Sequence, residues 1–134
     1  MAKKTRIIVA KVGCDIHERG ALTMLHVFRD KGMEAIYTGR YQSEEGVANA
    51  AVTEDADIIS VSDLSGSLVI ICRKIINELK RLGAEGIDVI CGGIITQEDR
   101  EELVAMGVKG CFETGTPVEQ TLDLINQLMV AKNK

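Results

Sequence analysis

Five times along this chain a short, β-branched apolar run is followed by a stretch with helical periodicity, and this alternation limits the possible folds more than any other feature. Strands are expected from Ile7 to Val12, Ala35 to Thr38, Asp57 to Ser62, Ile87 to Cys91 and Val108 to Phe112. Helices are expected from Glu18 to Lys31, Ser43 to Glu54, Ser67 to Leu82, Gln97 to Met106 and Pro117 to Ala131. Strands separated by helices pair in parallel, because each crossover carries the chain back to the same end of the sheet. The runs Ile7-Ile8-Val9 and Ile87-Asp88-Val89-Ile90-Cys91 are almost continuously apolar, as strands covered on both faces require. Right-handed crossovers then give an α/β, flavodoxin-like (Rossmann-like) domain. Its five-stranded parallel sheet has the order 2-1-3-4-5 and helices on both faces.

The helix ends carry their own signals. Ser43 and Thr96 are placed as N-caps, and Thr116-Pro117-Val118-Glu119 reads as a capping box with proline at the first helical position. Gly32, Gly83 and Gly107 each follow a helical stretch and suit the left-handed C-terminal cap.

With 134 residues, 46% of them hydrophobic, the chain can bury one core, so residues 1–134 are expected to form one domain with its core about 5–131. No apolar run is long enough to span a bilayer, and the basic start, Met1 to Arg6, leads into too short an apolar stretch for a signal peptide. A cytoplasmic location is the expectation. A net charge of -4 and 3% aromatic residues argue against a nucleic-acid surface, which needs basic charge and stacking rings. Cys72, Cys91 and Cys111 fall in a helix or at strand ends, as small apolar fillers do, and no two cysteines have C-x-x-C spacing. Cys14 differs from them in lying between the first strand and the first helix.

In an open α/β sheet, ligands bind beyond the carboxyl ends of the strands, where the strand order reverses. The unusual local sequences of this chain fall at that edge: Gly13 to Gly20, Ser62-Asp63-Leu64-Ser65-Gly66, Gly92-Gly93 and Glu113-Thr114-Gly115-Thr116. Glycines let a ligand approach the backbone closely, so four such segments on one edge describe a long groove. Taken singly, each glycine could serve only a turn, Asp15 could cap a helix, and His17 could be a surface residue. His26 shows no carboxylate at a suggestive spacing. Asp15 lies two residues before His17, a spacing that lets a carboxylate fix the imidazole of a metal-ligating histidine.

Together these segments resemble the cobalamin-binding domain of the acyl-CoA mutases, the methylmalonyl-CoA mutase group. The resemblance rests on Ala10 to Gly20 with its D-x-H-x-x-G, on Ser62-x-Leu64, on Gly92-Gly93 and on Gly115-Thr116, in that order along nearly the whole chain. It implies adenosylcobalamin as cofactor, with His17 as the axial ligand to cobalt, Asp15 accepting the other ring N–H and Lys11 extending the relay. It further implies that Gly20, Ser62, Leu64, Gly92, Gly93, Gly115 and Thr116 complete the cofactor site, several of them lining a slot for the detached nucleotide tail. Cys14, Ile16 and the pair Glu113-Thr114 depart from the usual wording of these segments.

The implied activity is that of an isomerase, a radical carbon-skeleton mutase, in which this chain is the cofactor-binding small subunit and is not active alone. A large TIM-barrel subunit would bind the acyl-CoA, and a GTPase chaperone and an adenosyltransferase are further partners implied by the family. Neither nucleic acid nor membrane is expected as a partner. The alternatives are a corrinoid carrier for methyl transfer or a glutamate-mutase-type small subunit. A phosphoacceptor signalling domain of the same fold would need a lysine after strand five, where Gly115-Thr116 stands; a flavodoxin would need a hydroxyl-rich loop after strand one.

Overall fold

The computed structural model describes residues 4–13, 18–39 and 42–133. Its elements alternate as the periodicity predicts: β1 (Arg6–Ala10), α1 (Arg19–Asp30), β2 (Glu34–Tyr37), α2 (Glu44–Thr53), β3 (Ile58–Asp63), α3 (Leu68–Arg81), β4 (Asp88–Gly93), α4 (Gln97–Met106), β5 (Gly110–Glu113) and α5 (Val118–Lys132). All strand pairs are parallel and the order is β2-β1-β3-β4-β5.

Side chains alternate across a strand, so each strand feeds two separate cores. Ile8, Ala10, Ile59, Val61, Val89 and Cys91 face one side and pack with Val47, Leu68, Ile75 and Leu103 of α2, α3 and α4. Ile7, Val9, Ile58 and Ile90 face the other and pack with Leu25 and Phe28 of α1 and Ile125 and Met129 of α5. At about 25 cal/mol per Å² of apolar surface, these two layers supply the main drive to fold.

The expected caps form at two helices. Ser43 Oγ accepts from Gly46 N–H at 3.0 Å, and Thr96 forms a reciprocal capping box with Asp99. The box expected at Thr116 and Glu119 does not form. Pro117 has an extended ψ of 135° and takes the N-cap position itself, where it has no side-chain oxygen to offer.

The carboxyl end of every strand shifts by one or two residues from the expected one, most tellingly in the three central strands. β1 ends at Ala10, and Val12 instead makes a separate parallel bridge to Gln42. β3 runs on to Asp63 and β4 to Gly93, so the paired glycines belong to the sheet and pair with Ser62 and Asp63. Gly93 has φ +139°, and a Cβ there would lie 1.9 Å from the Asp63 carbonyl oxygen. That neighbour is backbone inside a sheet and cannot swing aside. Gly93→Ala is therefore expected to destabilise the domain by about 2–3 kcal/mol, read as a lowered urea midpoint. Gly86→Ala, with open space around it, should stay within about 0.5 kcal/mol of the parent.

Candidate functional site: a groove at the carboxyl edge

The α1/α5 face of the sheet changes character along the strands. Near their starts it carries bulky Ile7 and Ile58, fully buried under the helices. Toward their ends β3 presents Ser60 and Ser62 and β4 presents Gly92, beside Val9, Ile90 and Phe112. Small side chains lower the floor there. The helix walls are also small: Gly20 and Ala21 at the start of α1, Val118 and Thr121 at the start of α5. A Cβ on Gly20 would come within 3.7 Å of Ser62 Oγ, and one on Gly92 within 3.2 Å of the Phe112 carbonyl oxygen.

The result is a groove of about 440 Å³ between α1 and α5, closed at the end of β5 by Thr114, Gly115 and Thr116. This is within the range of sites that hold small organic ligands, roughly 300–1,000 Å³. Its walls are mainly apolar, with hydroxyls from Ser60, Ser62, Thr116 and Thr121 along them. Arg19 and Glu113 are the charged residues among those described around it, both exposed, and Glu113 pairs with Arg100 at 3.1 Å.

The structure brings Gly20, Ser62, Leu64, Gly92, Gly93, Gly115 and Thr116 together around this one groove. Lys11 is fully buried next to it, its Nζ donating to the Ser62 carbonyl oxygen at 3.2 Å. Asp15 and His17, with Cys14 and Ile16, lie outside the described residues. The residues on either side of them are held: Gly13 N–H donates to Gln42 O at 2.8 Å, and Glu18 accepts from Tyr37 at 2.7 Å. His26 is exposed on α1.

Sequence reasoning missed Ser60, Ile90, Phe112 and Thr121. Two-residue alternation back from Ser62 and Gly92 reaches Ser60 and Ile90 and would have found them. Thr121 follows Val118 by one helical turn on the inner side of α5, and was findable only once that helix was docked.

Asp63 does not face the groove as an acceptor. It is buried, takes hydrogen bonds from Ser65 Oγ at 2.6 Å and Ser67 N–H at 2.8 Å, and so ties the β3 exit to the start of α3. Cys72, Cys91 and Cys111 are free and buried in the α2/α3/α4 core. The Cys111 thiol is raised well above its ordinary value by its hydrogen bond with Cys91 and by burial. At Cys91 the hydrogen bond from Cys111 works downward, but that with Cys72 and burial outweigh it. The Cys91 and Cys111 thiols stay neutral near pH 8, and burial keeps reagents from all three. Native protein should therefore resist iodoacetamide at all three while denatured protein labels at each, as mass spectrometry of the labelled peptides will show.

Comparison with known proteins agrees with this geometry. Residues 5–123 match the B12 binding domain family. The chain is 37% identical over 127 residues to the 2-hydroxyisobutanoyl-CoA mutase small subunit of Aquincola tertiaricarbonis, covering 95% of this chain and 93% of that one. It is 34% identical to the pivalyl-CoA mutase small subunit of Xanthobacter autotrophicus, covering 92% and 82%. The methylmalonyl-CoA mutase of Rhizobium meliloti is 32% identical over 134 residues, which make up 19% of that longer chain.

Among solved structures, a cobalamin-binding protein from Desulfitobacterium hafniense superposes with a TM-score of 0.69 at 18% identity, covering 98% of this chain and 59% of that one. The chemotaxis protein CheY4 of Vibrio cholerae superposes with 0.67 at 13% identity, covering 94% and 99%. Likeness at that identity shows the shared fold alone. The chain belongs to the B12-binding domain family, in its acyl-CoA mutase branch. It is a cobalamin-binding domain.

Proposed function

We propose that this chain is the cofactor-carrying small subunit of an adenosylcobalamin-dependent acyl-CoA mutase, and that a separate large subunit of TIM-barrel type binds the acyl-CoA. The observation that carries this reading is the groove at the carboxyl edge, in a chain that matches small-subunit relatives almost from end to end. The groove suits the detached nucleotide tail of cobalamin. Its floor of Ser60, Ser62 and Gly92 leaves depth for a flat heterocycle, its walls are apolar, and its hydroxyls suit a sugar.

When bound, adenosylcobalamin supplies a weak cobalt–carbon bond whose homolysis starts radical carbon-skeleton isomerisation. The residues of this chain bind and orient. His17 would offer an imidazole nitrogen to cobalt, and Asp15 would accept the other ring N–H, fixing the tautomer and raising ligand basicity. Lys11, by the same resemblance, would extend this relay; it is buried and its Nζ donates to the Ser62 carbonyl oxygen of β3. Gly20, Ser62, Leu64, Gly92, Gly93, Gly115 and Thr116 hold the tail. Residues 1–134 act as one cofactor domain. A cytoplasmic location and service by a GTPase chaperone and an adenosyltransferase belong to the same reading. No helix among the described residues is long and apolar enough to cross a membrane.

Two experiments test this. In the Co(II) state, electron paramagnetic resonance should show nitrogen superhyperfine splitting that responds to isotope-labelled histidine and disappears in His17→Ala; an unchanged mutant signal overturns the assignment. Ser62→Leu places a larger side chain in the groove. It should weaken cobalamin binding by about 10-fold or more in a titration, with the unfolding midpoint nearly unchanged. Parental affinity in that variant would move the tail elsewhere.

A further inference from the structure

The groove is graded from floor to mouth. Val9, Ala21 and Ile90 are buried on its floor and lower wall, and Ser60 is half-buried beside them. Arg19, Thr23, Glu113 and Thr114 at the mouth are exposed. Charge at the mouth is one-sided. On the β5 side Glu113 is already engaged: its Oε1 accepts from Arg100 at 3.1 Å, while the same guanidinium donates to the Cys111 carbonyl oxygen at 2.9 Å. That carboxylate is neutralised by a cation fixed to the strand. On the α1 side Arg19 has no such counterpart. No acidic residue stands in the first turn of its helix, and among the described residues no carboxylate pairs with it. Thr23, one helical turn further along the same wall, adds a hydroxyl.

A guanidinium at the mouth of a mainly apolar slot suits a ligand whose inner part is flat and neutral and whose outer part is an anion. Its planar donors match the oxygens of a phosphate group, and such charge-assisted bonds are the strong ones. The tail of cobalamin has this order: heterocycle, ribose, phosphodiester, and beyond it the corrin, which is too large for a groove of about 440 Å³. With the heterocycle on the floor, the phosphodiester falls at the mouth.

We infer that Arg19 binds the phosphodiester of the cobalamin tail, with Thr23 beside it, and so makes the mouth of the groove an anion subsite. This rests on the reading of the groove as the slot for the tail. The Arg100–Glu113 pair supports the subsite from across the mouth, because it leaves no free carboxylate there to oppose the phosphate.

The test uses the full chain with its large subunit, without acyl-CoA, titrated with cobalamin and with cobinamide, which keeps the corrin but lacks the nucleotide and its phosphate. Arg19→Gln alters an exposed side chain, so circular dichroism and the thermal midpoint should match the parent. Its affinity for cobalamin should fall about 5- to 10-fold, and its affinity for cobinamide should stay at the parental value. Arg19→Glu reverses the charge and should weaken cobalamin further, again sparing cobinamide. Added salt should narrow the gap between parent and Arg19→Gln for cobalamin, since exposed charges are screened.

Parental cobalamin affinity in Arg19→Gln would overturn the subsite while leaving the tail slot in place. An equal loss for cobalamin and cobinamide would do the same, as would a gap indifferent to salt. A parent protein that binds cobalamin no better than cobinamide would overturn the tail slot itself, and the subsite with it.

Discussion

Side-chain size along one face of the central strands is the constraint on which this structure depends. Starting at Ile58 and Ile7, the α1/α5 face is filled by large aliphatic residues that bury Phe28, Ile125 and Met129 against the sheet. Within two residues on β3 and β4 that filling stops, and Ser60, Ser62 and Gly92 take its place. The same helices that close the core at one end of the strands therefore stand over an open floor at the other. The opposite face makes no such change. Val61, Cys91 and Cys111 keep it packed against α2, α3 and α4 to the strand ends. The domain thus carries its stability on one side and at the lower half of the other, which leaves the upper half free for a ligand. A groove lined this way costs apolar burial, and the closed layer beneath α3, with Leu68, Ile71, Cys72 and Ile75 all buried, offsets it.

Two glycines that stand together in sequence have different physical reasons. Gly93 is fixed by the sheet, because a Cβ would lie far inside van der Waals contact of the Asp63 carbonyl oxygen and its φ lies in the region that glycine favours. Gly92 is fixed more weakly by the Phe112 carbonyl and lies on the groove floor. A paired-glycine signature therefore mixes one constraint of folding with one of binding. Sequence alone gives them the same meaning, and only the direction of each missing Cβ separates them. Asp63 holds a similar lesson. In a sheet of this order an aspartate after strand three resembles a phosphate acceptor, yet its carboxylate is spent on Ser65 and Ser67 at the start of α3.

The fold was legible because short β-branched apolar runs, beginning near Ile7, Ala35, Asp57, Ile87 and Val108, each give way to a stretch with a period of about 3.6. The edge of the groove was legible for another reason: glycines and hydroxyls at strand exits stand out against aliphatic runs. What could not be read was the groove's depth. Ser60, Ile90 and Phe112 look like ordinary strand residues until the register places Ser60 beside Ile90 and Gly92 beside Phe112. The start of α5 also escaped the reading, because Thr116 and Glu119 satisfy the wording of a capping box while the extended ψ of Pro117 prevents its geometry. Local wording predicts local structure only where the backbone angles between the words allow it.

The exit of β1 owes its setting to the topology. β1 lies between β2 and β3, and its neighbours are reached by crossovers on opposite faces, so a crevice opens where it ends. A chain leaving β1 at that point can be held from both sides. Lys11 reaches β3 at Ser62, while Gly13 reaches across to Gln42 beyond β2. Glu18 then returns the chain to β2 through Tyr37 before α1 begins. The flanking residues of the described chain are thus tied to the sheet on both sides. The shape also limits what the chain can do unaided. A groove open at a sheet edge orients a cofactor but leaves its reacting face exposed, whereas radical chemistry needs that face shielded from water and side reactions. A larger catalytic partner, which the small-subunit relatives imply, is the kind of element that can supply such shielding.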